Sequence, residues 1–358
     1  MKILLSGGGT LGPVSPLLAI YEIYHRHNST CKFIWVGTST GPERDIVELY
    51  GLHFYTISSG KLRRYFSLWN LIDVFKVLIA FFQSLVLLVQ EKPSLLVSAG
   101  GFVSVPLHWA AFVLGIPTWI HQQDTRVGLA NKLMAGVAKK ITTALNGSVK
   151  FFNKNKTEWA GNPVRDLSVK SKADSLRQLS LPDQCPIIFA FGGGTGSDKI
   201  NSLIIESLQH LPSDWQIVHL TGKDRSGKHA KEIKKSFPNY HPYVFFGNEM
   251  KHAYAVADVV VGRGGFVTMS ELASLSKPAI LIPMSDTHQE ENVKTLAKNE
   301  SAIILDEKKA NGLNIAYAVK ELINKPDLAK HLGSNLHSVL PPAKKEKIVE
   351  IIEEMCKD

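Results

Sequence analysis

Cysteine is scarce in this chain: there are three in 358 residues, Cys31, Cys185 and Cys356. They are scattered, odd in number and share no metal-ligand spacing. This excludes a disulfide framework and a cysteine-built metal centre, and it fits a reducing compartment. Long apolar runs are also missing. The strongest stretch lies between Lys76 and Glu91, where 14 residues interrupted by Gln83 and Ser84 fall short of the roughly 20 that a spanning helix needs. The first residues carry one lysine and a short apolar run ending in glycines, too short for the core of a secretory signal, so a cytoplasmic protein is expected. No internal repeat or low-complexity tract stands out. No Asp-x-Asp pair occurs, so a metal-clamped diphosphate is not indicated and no metal is expected.

Acidic residues are short in one half only. Residues 1–160 hold 16 Lys/Arg against 8 Asp/Glu, whereas the rest holds 25 against 24, so nearly all of the net +9 sits in the first half. Five of the six tryptophans, Trp35, Trp69, Trp109, Trp119 and Trp159, lie there too. A basic, aromatic-rich half calls for an anionic partner, either a membrane surface, a nucleic acid or a phosphorylated substrate. Nucleic acid is disfavoured because no recognisable reading motif is present. The segment Lys61–Gln90 admits two readings. It is a helix packed on a sheet, or its exposed end, with Phe66, Leu68, Trp69 and Ile72 behind Arg63 and Arg64, dips into a membrane interface.

The length suits two domains of about 170 residues, and 44% hydrophobic content gives each a core. Strands alternate with helical stretches, the pattern of an α/β protein with parallel sheets. Strands are expected near 2–6, 33–37, 53–57, 94–98, 117–120 and 140–144, and again near 186–191, 215–220, 243–246, 258–261, 279–282 and 302–305. Two Rossmann-like halves follow, with residues 1–160 as the first domain and 161–165 as a hinge. Residues 166–340 form the second domain, and a charged helix closes residues 341–358 after Pro341-Pro342.

Three strands run into glycine loops and then helices, which places backbone N–H groups where phosphate is favoured. The first, Gly7-Gly8-Gly9-Thr10-Leu11-Gly12-Pro13, fits the dinucleotide glycine spacing in one register. Thr38-Ser-Thr-Gly41, with no acidic residue, directly follows the second strand where the fingerprint wants one. The second loop is Gly192–Gly196. The third, Val261-Gly-Arg-Gly-Gly-Phe-Val-Thr-Met-Ser-Glu-Leu-Ala273, lets amides near Thr268 approach a diphosphate and sets Glu271 one turn on to accept from a ribose diol. The loop Asp286-Thr-His-Gln-Glu-Glu-Asn292 is suited to sugar hydroxyls, so phosphate, ribose and sugar binders occur in the order a nucleotide-sugar needs. A further run, Gly222-Lys-Asp-Arg-Ser-Gly-Lys-His229, spaces like a Walker loop but has His229 where Ser or Thr must bind magnesium.

Together these motifs resemble the MurG family, glycosyltransferases of the GT-B type with two facing Rossmann-like domains and a cleft between them. The resemblance covers essentially the whole chain. Besides the glycine loops it rests on Gly100–Pro106, Gly115-Ile-Pro117, His121-Gln-Gln-Asp124, Gly128–Lys132, Gly161–Arg165, Phe266–Glu271 and His288–Asn292. It implies inverting transfer of N-acetylglucosamine from UDP-N-acetylglucosamine, with no cofactor, to the muramyl 4-hydroxyl of undecaprenyl-linked lipid I. The product is lipid II for peptidoglycan, made by a peripheral protein on the anionic inner face of the cell membrane. It further implies acceptor and membrane binding by the first domain and donor binding mostly by the second. By the same resemblance Thr10, Gly12, Asp124 and Arg165 face the donor, with Gly194 and Thr195 by the diphosphate. Phe246 and Gly247 meet uracil, and Phe266, Val267, Thr268, Met269 and Ser270 line the α-phosphate. Glu271 holds the ribose, and Gln289 and Asn292 hold the sugar.

Three positions depart from the family pattern. Asp124 stands where a donor-contacting asparagine is usual, and Gly194 where a serine is common. Pro13 replaces a histidine proposed to take part in catalysis. Another group must then accept the acceptor's proton, or the reaction relies on positioning and leaving-group stabilisation; by family geometry the candidate proton acceptors are Asp124, His121, His108 and His288, each of which has a structural or substrate-binding reading as well. A related transferase with another lipid acceptor and a non-catalytic UDP-sugar binder are the alternative readings.

Overall fold

The computed structural model describes residues 1–58, 60, 69–194, 196–222 and 227–357, with side chains of 69–74 and 227–231 outside the description. The chain divides into two compact units. Unit 1 is Met1–Arg165 with Pro342–Asp358, and unit 2 is Asp166–Pro341.

Unit 1 is built on seven strands: β1 (Lys2–Ser6), β2 (Lys32–Gly37), β3 (His53–Thr56), β4 (Leu95–Ser98), β5 (Thr118–Gln122), β6 (Lys140–Thr143) and β7 (Thr157–Trp159). They pair in the order β3-β2-β1-β4-β5-β6-β7, all parallel. Unit 2 repeats the plan with β8 (Ile187–Phe191), β9 (Gln216–Leu220), β10 (Tyr240–Tyr243), β11 (Val259–Gly262), β12 (Ala279–Leu281) and β13 (Ile303–Ile304). Their order is β10-β9-β8-β11-β12-β13, again all parallel. The order reverses beside β1 and beside β8, and the carboxyl edge at such a reversal is where open α/β sheets bind ligands. Leu4, Leu96, Phe189 and Val260 are fully enclosed, as expected of central strands covered on both faces.

The helices of unit 1 are α1 (Val14–His27), α2 (Glu43–Leu49), α3 (Trp69–Glu91), α4 (Ser104–Val113) and α5 (Leu129–Ala135). Unit 2 holds α6 (Lys172–Gln178), α7 (Asp198–Ser207), α8 (Gly227–Ser236), α9 (Met250–Val256), α10 (Phe266–Ser274), α11 (His288–Lys298), α12 (Gly312–Asn324) and α13 (Pro326–Val339). The last helix, α14 (Lys345–Cys356), returns to unit 1. Its Ile348, Ile351, Ile352 and Met355 join the cluster of Val14, Leu17, Leu18 and Trp35. Glu158 of β7 meets both Lys140 and Lys347, fastening the returning helix by charge as well as apolar burial.

Two expectations about elements need correction. The strand expected at 243–246 lies at Tyr240–Tyr243, where it pairs with β9, while Val244 and Phe245 are about half exposed. Their β propensity points to the wrong residues because the ladder, not propensity, decides; Pro242 is tolerated on this edge strand. The short edge strand β7 has no counterpart in the sequence reading, since three residues carry too little periodicity to register.

Candidate functional site

In unit 1 the loop after β1 is held at three points. Trp35 Nε1 donates to the Gly7 carbonyl (3.1 Å), the Gly9 amide donates to the Glu43 carboxylate (3.2 Å), and Gln123 Nε2 donates to the Gly12 carbonyl (3.1 Å). Gly9 has φ +80°, which favours glycine, and a methyl there would meet Phe102 Cε1 at 2.6 Å. Pro13 sits at φ −67° and ψ −17° at the start of α1, the pre-organised helical entry that proline suits. Thr10 and Gly12 are exposed and Asp124 is half-buried.

The histidines proposed for this edge differ in access. His108 is fully buried, its ring nitrogens have no hydrogen-bond partner, and burial pushes its pKa down to about 3. His121 is fully buried as well. Nδ1 meets Thr142 Oγ1 and Nε2 meets Asn162 Oδ1, each at 2.9 Å, and burial lowers its pKa to about 4. Both rings are neutral and sealed from solvent, so in this conformation neither meets an incoming hydroxyl. His121 instead fixes Asn162, whose carbonyl accepts from the Ala343 amide where α14 rejoins the unit. Arg165, half-buried, ends the same stretch.

In unit 2 a buried guanidinium joins four loops at the carboxyl edge of the sheet. Arg263, after β11, donates through Nη2 to Ser197 Oγ (2.7 Å), the N-cap of α7, and through Nη1 to the Ile282 carbonyl (3.2 Å) after β12. It also pairs with Glu307 Oε1 (2.6 Å), after β13, whose Oε2 accepts from the Ser285 amide at 2.7 Å. Burial opposes the charge on Glu307, but the Ser285 amide and the Arg263 guanidinium hold its carboxyl below the usual range. Arg263 lies inside the third glycine loop, yet its role escaped the sequence reading because its partners are 19 to 66 residues away.

Helix α10 begins at Phe266 after extended Gly265, and no side chain caps it, leaving first-turn amides directed outward at a partial positive charge. Phe266, Thr268, Met269 and Ser270 are buried, and Val267 is half-buried. The Ser270 hydroxyl donates back to the Phe266 carbonyl (2.9 Å). Glu271 is almost fully buried and accepts from Tyr254 Oη at 2.8 Å, so Tyr254 orients that carboxylate. The stretch expected as a loop at Asp286–Asn292 is helical from His288, because Thr287 caps the first turn of α11, and this helix start packs on the α10 entry. A methyl at Gly264 would lie 2.6 Å from Val293 Cγ1 and 3.3 Å from the Gln289 carbonyl. Gln289 Oε1 accepts from the Met284 amide (3.0 Å), Asn292 is buried and His288 is exposed. Gly194 is an exposed turn residue, and Thr195 lies outside the described residues. Phe246 is buried against Tyr243, and the Gly247 amide donates to Glu249 Oε2 at 3.0 Å.

The expected membrane-facing residues Arg63, Arg64, Phe66 and Leu68 also lie outside the described residues, as do the side chains of Trp69 and Ile72. So does most of the Walker-like run. The reading of 76–91 as a packed helix covers only one of its faces. Ala80, Leu87 and Leu88 of α3 join Leu107, Ala110 and Ala111 of α4 in one core. Phe75, Leu78, Ile79, Phe82, Val86 and Val89, at helical spacing, are each at least half exposed. On α4 and at its C-cap, Trp109, Phe112, Val113 and Leu114 are exposed too. The high apolar content of both helices was the available signal.

Two doubly wound parallel sheets, each with its glycine loops at the carboxyl edge, define a protein of the GT-B class. The chain belongs to glycosyltransferase family 28, matching its N-terminal domain over residues 3–143 and its C-terminal domain over 187–354. It is 36% identical over 339 residues to the UDP-N-acetylglucosamine–N-acetylmuramyl-(pentapeptide) pyrophosphoryl-undecaprenol N-acetylglucosamine transferase of Staphylococcus carnosus, covering 92% of each chain. The enzyme of the same name from Staphylococcus aureus strain RF122 is 35% identical, over 100% of this chain and 99% of the relative. The crystal structure of Acinetobacter baumannii MurG shares the fold with a TM-score of 0.73 at 23% identity, over 99% of both chains.

Proposed function

We propose that this chain moves N-acetylglucosamine from UDP-N-acetylglucosamine to the muramyl 4-hydroxyl of lipid I, with inversion, giving lipid II at the cytoplasmic face of the membrane. The observation that carries the reading is the similarity along nearly the whole chain to transferases of that activity. The carboxyl edge of unit 2 supports the donor side. The uncapped first turn of α10 receives the α-phosphate, Glu271 the ribose, and Gln289 and Asn292 the sugar hydroxyls. Backbone groups at Phe246 and Gly247 meet uracil, while Gly194, Thr195 and Arg165 attend the diphosphate. As the C1–O bond breaks, negative charge grows on UDP, and fixed amide dipoles stabilise it without reorganising. The acceptor hydroxyl must lose its proton. Pro13 offers no acceptor; Asp124 and His288 reach solvent whereas His108 and His121 do not.

The acceptor is a lipid, and the α3–α4 surface supports membrane contact. Ten large apolar side chains stand exposed there, more than a monomer ordinarily leaves uncovered. No helix among the described residues is long and apolar enough to cross a membrane. A surface of this kind sits at the headgroup boundary, aided by the basic excess of the first half.

Incubation with labelled UDP-N-acetylglucosamine and a lipid I analogue is expected to yield the disaccharide. UDP binding without product would overturn transfer and favour a non-catalytic binder, and product from an acceptor lacking the muramyl peptide would favour a related lipid transferase. The membrane reading is tested with the F82E/F112E double variant. It should lose about tenfold or more of its partition into anionic vesicles; unchanged partition would refute it.

A further inference from the structure

The loop after β1 resembles an anion-binding nest, but a side chain of the protein already fills it. Glu43, the first residue of α2, has no solvent exposure. One carboxylate oxygen accepts from the Gly9 amide (3.2 Å), and the other accepts from the Thr38 amide (2.7 Å) and the Thr38 hydroxyl. Two glycines, Gly8 in this loop and Gly41 in the β2–α2 connection, clear its space: a methyl at either would overlap the carboxylate. A buried carboxylate without donors is strongly unfavourable, so three donors on one acid constitute a built site rather than an accident of packing.

We propose that Glu43 is a positioning residue for transfer. Its carboxylate takes the place of a substrate anion on the Gly9 amide and so presets the segment Gly7–Pro13 before any substrate arrives. The glycines of this loop then serve an internal acid, and the segment with its exposed Thr10 and Gly12 is held in one shape from the Glu43 side and from Gln123. The kinetic consequence rests on the lipid II-forming reading; the hold on the loop does not.

The test is E43Q in the full chain. An amide keeps the shape but turns an N–H₂ group toward one set of donors. Hydrogen exchange of the backbone covering residues 7–13 should quicken about tenfold or more, because the loop opens more often. The kcat with a lipid I analogue should fall by about tenfold or more, as misplacement of a positioned group does. UDP affinity and the KM for UDP-N-acetylglucosamine should stay within about twofold, separating this role from donor binding. Gly41→Ala displaces the same carboxylate from outside the loop and should reproduce the pattern. If E43Q does not fold, Thr38→Val, which removes one donor of three, should give the same changes in smaller degree. Unchanged exchange in folded E43Q overturns the proposal. So does a loss confined to the donor KM, or a kcat per folded molecule equal to the wild type. If the wild type itself makes no product, the lipid II reading fails, while loop exchange still decides whether Glu43 holds the loop.

Discussion

The two units share one doubly wound plan and differ in what their glycine loops meet. After β1, the amide of Gly9 is already engaged by the protein's own Glu43 carboxylate. After β11 the helix begins, like α1, without a side-chain cap, and the buried charge there, Arg263, is consumed in tying loops together. Glycine spacing is therefore common to both edges. What meets the amides decides which edge is open to a phosphate, and that is settled by residues distant in sequence.

The largest test of this contrast is Arg263→Ala. It removes every contact of a buried guanidinium and leaves half-buried Glu307 without its counter-charge, together costing about 3 kcal/mol. Denaturant unfolding should show unit 2 weakened by that order with UDP binding lost, while unit 1 unfolds as before. A protein that keeps its unit 2 midpoint would remove Arg263 from the centre of this edge.

Acid should separate the units next. The pKa values of His108 and His121 in unit 1 and His219 in unit 2 are lowered by burial to about 3, 4 and 3. Each ring is neutral when folded and takes a proton when unfolded below its ordinary value of 6.5, so its contribution is complete above that pH and is lost as pH falls. Between pH 7.5 and 5 each of these three rings should withdraw about 2 kcal/mol; His241 in unit 2, also lowered by burial, adds a smaller loss there, so unit 1 should lose more than unit 2. Equal losses, read by unfolding each unit across that range, would break the comparison.

At the donor edge, Glu271→Ala should weaken UDP binding about tenfold or more, or at least 1.4 kcal/mol, by calorimetry. Unchanged affinity would refute the ribose role. Tyr254→Phe should cost less, about 1 kcal/mol for one hydrogen bond to the same carboxylate. The smallest effect belongs to Pro13→Ala. The backbone there is helical, so stability should fall by less than about 1 kcal/mol, and a larger loss would mean that the proline does more than open the helix.

Much of the fold was legible along the chain. The stretch Lys2–Ser6 reads as a strand and is one. The three glycine loops and the α/β alternation fix the class because a fully covered strand and an amphipathic helix differ in period. Legibility failed where partners mattered more than pattern. Val244-Phe245-Phe246 has stronger β propensity than Tyr240–Tyr243, but only the latter meets β9. Glu43 leaves no signature in the chain because the fingerprint puts its acid at the end of the second strand, six residues earlier. Helix α3 was legible as apolar, but not as apolar on its exposed face.

By itself, then, the sequence determined the two doubly wound sheets, the position of each glycine loop and the family, since all three rest on short-range order and spacing. Only the tertiary structure decided that Glu43 fills the first loop, that Arg263 binds four loops into one edge, that His121 holds Asn162, and that α3 and α4 leave their apolar faces uncovered. Each of those depends on side chains brought together from separate strands or left without a neighbour, and long-range proximity has no periodic trace in the chain.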